Sequence, residues 1–388
     1  MPKVLVTDCW TRKGLSVVRS LGSENIEVFA VTHKIISPAI YSKYTKKIFI
    51  FSSPEKNKKE FQEKILALIS KEKFDCLMPL EDESTLALLE IREEIEKHTV
   101  LPVGTMESYK IASNKWKTLQ IAEKSGVPIP QSFYPSTDKE ISEALETLRF
   151  PVVIKPISSG GSRGLKKAYN KNEFEKYYPE IRKKYGIPLI QECLRQDGQG
   201  IGVGILAEHG RVLVSFSYKR LREYPVNGGP STLRESTDNK LIKDYSEKLI
   251  KEIGWHGVAM VEFKTDMNDN LPKLMEINPR FWGSLELASV SGINFPHLLF
   301  LLSQKKEIPL VKYNAGIRCR WLLPGDIAHF ISNPERFKIK PSFFNFFEKN
   351  TFYDEFRKGD FRGNIASVLC AFLSFFDFET WKKGIFRI

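Results

Sequence analysis

The chain has 388 residues, 42% hydrophobic and 27% charged, with a mean hydropathy of -0.27. That mixture excludes collagen-like, disordered and multi-span membrane classes and predicts two or three domains. A net charge of +12 allows an anionic partner without choosing among nucleic acid, a membrane surface and a phosphate- or carboxylate-bearing small molecule.

Lys3-Val4-Leu5-Val6 predicts a strand, Leu15, Val18 and Leu21 recur at helical spacing, and Val28-Phe29-Ala30-Val31 predicts a second strand, a βαβ opening. The alternation continues with a helix near 58–71, a strand at 76–79, a helix near 84–97 and a strand near 100–103, so a parallel sheet covered by helices is expected over 1–108. The turn after Val6 contains only Gly14 where a dinucleotide site wants G-x-G-x-x-G, which sets NAD and FAD aside. From Tyr109 a second region begins: Asn114-Lys115-Trp116 opens a helix that Gly126 and Pro128-Ile129-Pro130 close. Strands at 152–156, 189–192, 202–206, 212–214, 258–263 and 274–278 then predict a largely antiparallel α+β domain over 109–310. Beyond it, 14 of the 27 phenylalanines lie between Phe330 and Phe386, and a separate helical, Phe-rich appendage is expected over 311–388. Five widely spaced cysteines without a CxxC pair, an N-terminus without a secretory pattern and a longest apolar run (365–376) too short to span a bilayer predict a cytoplasmic protein.

Chemistry concentrates in two segments of the second region. Lys155 ends a strand and is followed by the loop Ser158-Ser159-Gly160-Gly161-Ser162-Arg163-Gly164, whose backbone N–H groups can wrap a polyphosphate while the ammonium supplies a compact charge. A plain hairpin tip is the alternative. The loop also satisfies G-x-S-x-G, but 165–170 reads as a return strand rather than the helix of a nucleophile elbow, and no Walker A loop is present.

In the second segment Glu276, Asn278 and Arg280 fall at i, i+2 and i+4, on one face of an extended strand with alternate side chains about 6.6 Å apart. Glu262 lies fourteen residues earlier across a turn at 266–270, so Glu262 and Glu276 are predicted to face each other on adjacent antiparallel strands as an all-oxygen site for a hard cation. Outward residues on a half-solvated sheet are the alternative.

Taken in order, these segments resemble the ATP-grasp superfamily from Lys3 to about Leu302, and within it uncharacterised carboxylate–amine ligases related to carbamoyl-phosphate synthase large subunits. The resemblance implies an α/β and α+β chain: a Rossmann-like pre-ATP-grasp domain, then a two-subdomain ATP-grasp fold and the appendage. It implies that Lys115 and Lys155 contact the phosphates of ATP, that Ser159, Gly160, Gly161 and Ser162 cover them, and that Gln191, Glu192, Cys193 and Leu194 form the adenine hinge. Glu262, Glu276 and Asn278 would hold magnesium, with manganese as a substitute, and Arg280 would face the reacting phosphoryl or acyl phosphate. One departure is that 197–202 lacks the usual spacing of the acidic residue with which many relatives bind ribose. The implied reaction activates a carboxylate as an acyl phosphate and passes it to an amine, releasing ADP and phosphate. Cations are required there, because like unit charges 4 Å apart repel by about 4 kcal/mol at an effective dielectric of 20.

Arg222 and Arg234 are candidates to clamp the small-molecule carboxylate, with a solvated basic loop as the alternative. The run Glu81-Asp82-Glu83 reads either as a receiver for the amine or as an acidic helix start. A second function class is a degenerate grasp fold that binds nucleotide or acts as a scaffold without turnover. Nucleic acid is not expected, since no basic stretch interleaves with aromatics in a known binding pattern. The tail from Phe343 to Ile388 is a candidate for contact with a membrane surface or partner, packing onto the core is its alternative, and a homodimer is implied by the resemblance.

Overall fold

The computed structural model describes residues 1–158, 163–195, 197–226 and 228–374. The first unit runs β1 (Lys3–Val6), α1 (Arg12–Gly22), β2 (Glu27–Thr32), α2 (Pro38–Tyr41), β3 (Thr45–Ile50), α3 (Lys58–Lys71), β4 (Cys76–Met78), α4 (Asp82–Leu89), α5 (Arg92–Glu96) and α6 (Met106–Ala112). Its sheet is parallel in the order β3-β2-β1-β4. β3 lies outside the expected elements although Ile48-Phe49-Ile50-Phe51 is a strand-like run, and its Lys46 and Lys47 charge an exposed edge as edge strands require. The helix expected over 84–97 is two helices broken after Leu89, and the strand expected at 100–103 shrinks to one bridge between Val100 and Cys76, because Pro102 has no N–H to give a ladder. The domain boundary expected at 108 falls inside α6, which Thr105 caps by accepting from Ser108 N and whose Tyr109 is buried beside Trp255.

A second unit follows: α7 (Lys115–Lys124), β5 (Ser132–Phe133), α8 (Asp138–Thr147), β6 (Val152–Lys155), β7 (Lys166–Ala168), α9 (Lys171–Tyr185) and β8 (Leu189–Glu192). Its antiparallel sheet has the order β5-β8-β6-β7, and β7 is the return strand expected at 165–170. Ile154, Phe174, Tyr178 and Ile190 belong to a core that this unit keeps to itself.

The third unit comprises β9 (Gly200–Glu208), β10 (Arg211–Glu223), β11 (Ser231–Thr237), α10 (Lys240–Ile253), β12 (Gly257–Thr265), β13 (Pro272–Asn278), α11 (Leu285–Ser291), α12 (Phe295–Ser303), β14 (Arg318–Arg320), α13 (Ile327–Ser332), β15 (Thr351–Tyr353) and α14 (Phe361–Ser374). Seven strands form one sheet in the order β13-β12-β9-β10-β11-β14-β15. One core runs from Leu5 and Leu77 of the first sheet through Tyr109 and Trp255 to Val203 and Val261 of this one. A second joins Val4 and Val6 to Phe216, Trp282 and Phe295. The first and third units are therefore welded together, and α7 belongs with them, since Leu119 and Ala122 lie in the first of these cores and the helix packs on β13, α6 and α10; only the stretch from α8 to β8 has a core of its own.

The appendage expected from 311 is not separate. β14 and β15 extend the large sheet, Arg19 of α1 pairs with Asp360 at 2.8 Å, and Arg12 pairs with Asp354 at 2.9 Å. Three-residue strands such as Arg-Cys-Arg carry too little alternation to be read from sequence, and buried ion pairs rather than an apolar stripe dock this segment. Among the described residues no single helix is long and apolar enough to cross a membrane, and all five cysteines are free.

Candidate active site

Two lysines are brought to one carboxylate where the second unit meets β13. Asn114 caps α7 by accepting from Lys117 N, and Lys115 N donates to Ile157 O at 2.8 Å, which ties the start of the helix to the chain leaving β6. Lys115 Nζ lies 3.1 Å from Glu276 Oε2, and the buried Lys155 at the end of β6 feels both groups. Burial, then the charge of Lys115, pushes Lys155 down to about 7 against the smaller pull of Glu276.

Glu262 and Glu276 are direct partners in the register of β12 and β13, as expected from the sequence. Asn278 Nδ2 donates to Glu276 Oε1 at 3.2 Å, and Arg220 Nη2 sits 2.6 Å from Glu262 Oε1. Burial pushes both carboxyls up. At Glu276 the adjacent Lys115, together with Lys155 and Asn278, offsets this and holds it below the usual range, whereas at Glu262 burial outweighs Arg220 and the opposed Glu276 adds to the rise.

Arg280 follows β13 and points to the first unit. Its Nε donates to Asp82 Oδ2 at 2.9 Å, and its Nη1 donates to Phe281 O at 3.1 Å. Burial alone would raise the Asp82 carboxyl, but Arg280 and the Tyr109 hydroxyl, which donates to Oδ1 at 2.7 Å, hold it at about 2. Lys13 joins the same group, donating to Phe281 O at 3.1 Å and lying 3.1 Å from Glu81 Oε1. Phe281 and Trp282 anchor this turn in the core. Trp282 fits because Gly204 on β9 has no side chain: a Cβ there would sit 2.3 Å from the indole.

The segment Gln191-Glu192-Cys193-Leu194 links the four-stranded antiparallel sheet to the seven-stranded sheet, from β8 toward β9. The buried Gln191 donates from Nε2 to Ser132 Oγ at 2.7 Å, and Glu192 Oε1 accepts from Gln131 N at 2.9 Å and from Lys273 Nζ at 3.2 Å. Leu194 is buried and Cys193 is half-buried. Asp197, at the departure from the ribose pattern, is exposed and paired with Arg195 at 2.7 Å. Ser159, Gly160, Gly161 and Ser162 lie outside the described residues. Beyond them Arg163 Nη2 reaches Glu83 of the first unit at 3.3 Å, and Gly164 turns with φ +73.

Arg222 and Arg234, expected to clamp a carboxylate substrate, are instead taken up in buried ion pairs. Arg222 donates from Nε and Nη2 to both oxygens of the buried Asp326 at 2.7 Å, and the buried Arg234 pairs with Asp354. Neither joins the cluster around Glu276. Arg220, which the sequence reading passed over, does: a bulge between Arg220 and Arg222 breaks the alternation that would keep the two on one face, sending the first to Glu262 and the second to Asp326. Asp82, with the Tyr109 hydroxyl on its other oxygen, is a partner of Arg280 outside the expected site residues, and the acidic run at 81–83 is its signal in the sequence.

Residues 114–191 match the family profile described as the carbamoyl-phosphate synthase L chain, ATP binding domain, and residues 188–323 match that described as ATP-grasp in the biosynthetic pathway with Ter operon. The chain is similar to a carbamoyl-phosphate synthase from Methanobrevibacter smithii, 26% identical over 57% of this chain and 61% of that one. It is also similar to a D-alanine–D-alanine ligase from Fusobacterium nucleatum, 29% identical over 39% of this chain and 52% of that one. It thus spans about half to three-fifths of the length of these two relatives. Among solved structures, biotin carboxylase from Campylobacter jejuni superposes with a TM-score of 0.69 at 18% identity, covering 81% of this chain and 74% of that one. By these matches the chain resembles, over residues 114–323, the ATP-grasp superfamily of carbamoyl-phosphate synthase and D-alanine–D-alanine ligase.

Proposed function

We propose that this protein is an ATP-dependent ligase that activates a carboxylate as an acyl phosphate and transfers it to an amine, forming an amide and releasing ADP and phosphate. The observation that carries the reading is the convergence of Lys115 and Lys155 on Glu276, with Glu262 opposite it. The names of the relatives support it, since D-alanine–D-alanine ligase joins two amino acids.

In this reading Lys115 and Lys155 bind the phosphates and release Glu276 from its resting partner. Lys155 then carries its full charge, because an anion beside it favours the protonated form. The donor set fits magnesium: two opposed, half-buried carboxylates, resting on Arg220 and Lys115, can both turn to one cation, and Asn278 adds an amide oxygen once its side chain is turned. Among the described residues no third His, Cys, Asp or Glu completes a cage, which leaves the rest of the shell to phosphate oxygens and water. When bound, that ion would supply charge neutralisation at the nucleotide phosphates. Arg280, oriented by Asp82 and Tyr109, faces the transferred group. The hinge at 191–194 borders the nucleotide, and the part of the second unit with its own core, α8 to β8, moves against the welded body to exclude water from the acyl phosphate. The working division is a pre-grasp domain over 1–108 and a grasp domain over 109–310, the latter completed by β14 and β15. Free cysteines support a cytoplasmic location. Self-association, implied by the resemblance, is read by light scattering.

The test is ADP release from Mg-ATP with pooled carboxylates and amines, comparing the wild type with Glu276→Ala. Turnover that depends on metal and acceptor and vanishes in the variant supports a ligase. Nucleotide binding without turnover in any pool transfers the reading to a non-catalytic grasp protein.

A further inference from the structure

Helix α14 is built inside out for a soluble surface helix. At 100° per residue, Gly363, Ala366 and Ser367 fall on the side that is buried, whereas Phe361, Ile365, Leu369 and Leu373 span the opposite side and are exposed, Phe361 by 74% and Leu369 by 55%. The small side lets the helix lie close on α2. Its start is fixed from below: Asp360 accepts from Lys43 N at 3.0 Å and from Ser42 Oγ at 2.8 Å and pairs with the buried Arg19. The large apolar side is therefore held outward by a rigid mount, and Ile35, Ile36 and Tyr41 of the adjoining segment are exposed too. A soluble protein rarely presents such a face without something to cover it.

The charge around the face identifies the cover. Residues 33–50 contain no acidic side chain, and the one acid in 356–374, Asp360, is buried on Arg19. Lys34, Lys43, Lys358 and Arg362 are exposed there. A second copy docking by a two-fold axis would set these cations against each other, because the same patch meets itself. An anionic lipid surface instead meets the cations with phosphates and takes the apolar side chains into the acyl boundary, the pattern of an interfacial helix. We propose that α14, with the segment before and along α2, docks this protein on an anionic membrane surface, without crossing it. The inference is independent of the ligase reading.

The experiment is co-sedimentation of the full chain with vesicles of phosphatidylcholine alone and of phosphatidylcholine with phosphatidylglycerol. Binding is expected to the anionic vesicles only, with release as salt approaches about 1 M, where the screening length falls to about 3 Å. Lys43→Gln and Arg362→Gln should each weaken partition about fivefold. Ile365→Asp with Leu369→Asp should abolish it while circular dichroism and nucleotide binding stay at wild-type values. Absence of sedimentation with anionic vesicles at low salt overturns the proposal. So does a wild-type dimer in light scattering that the Asp variants convert to monomer, which would assign the face to a second copy.

Discussion

Asp82 and Arg280, 198 residues apart in the chain, meet at 2.9 Å, so a carboxylate at the head of α4 fixes the guanidinium that follows β13. Asp82→Asn keeps the shape and removes the charge. ATP affinity should stay within about twofold of wild type, while kcat falls about 10²-fold as Arg280 loses its orientation. Equal loss in affinity and turnover, measured by titration calorimetry and steady-state kinetics, would remove Arg280 from the transfer step.

Lys155, pushed down to about 7 from its ordinary 10.5, couples nucleotide binding to protons. Near pH 8, within that window, the free folded protein lacks a proton that the phosphate-bound lysine holds. Binding should therefore take up about one proton per site, read by calorimetry in buffers of different ionisation enthalpy. The unfolded chain keeps its proton up to 10.5, so the lysine's cost to stability is fully present below about pH 7 and is relieved as pH rises through the window. Lys155→Met should accordingly raise the thermal midpoint of the free protein at neutral pH and abolish nucleotide binding. A lowered midpoint would contradict the unfavourable burial of this cation.

Glu262 and Glu276 oppose each other on β12 and β13. Glu262→Gln removes one like charge. The nucleotide-free protein should keep its stability, within about 1 kcal/mol, while magnesium-dependent turnover drops about 10²-fold. A magnesium titration of ADP release checks this: unchanged dependence would exclude Glu262 from the metal site.

Arg234 and Asp354 form a buried pair with Arg12 alongside. Arg234→Ala leaves Asp354 with Arg12 as its remaining cation and empties the space of the lost side chain, and should destabilise the fold by about 2–3 kcal/mol, seen in chemical denaturation. KM for either acceptor should not change in the fraction that remains folded. A selective rise in KM at full stability would restore Arg234 as a substrate ligand.

The sequence by itself determined the elements whose physics is local or periodic. The βαβ opening follows from apolar runs and helical spacing, α7 from its Asn114 cap, and the β12–β13 pair from two alternating runs around a short polar turn. That alternation alone set Glu262 against Glu276 and named Lys155 as the end of a strand. Glu81, Asp82 and Glu83 were visible as an acidic run, but nothing local says that Asp82 meets Arg280 while Glu83 meets Arg163.

Tertiary structure decided the rest, because those choices are made by long-range pairing. A bulge sent Arg220 to the carboxylate site and Arg222 into a structural ion pair, an outcome invisible to a period of two. The short strands β14 and β15 become strands only because the edge of β11 offers unpaired N–H and C=O groups, and the C-terminal segment docks because Arg19, Arg12 and Arg234 hold its acids where water cannot. The outward face of α14 is the clearest case: its composition reads as a core helix, and only the small residues packed on α2 turn its large side chains to the surface.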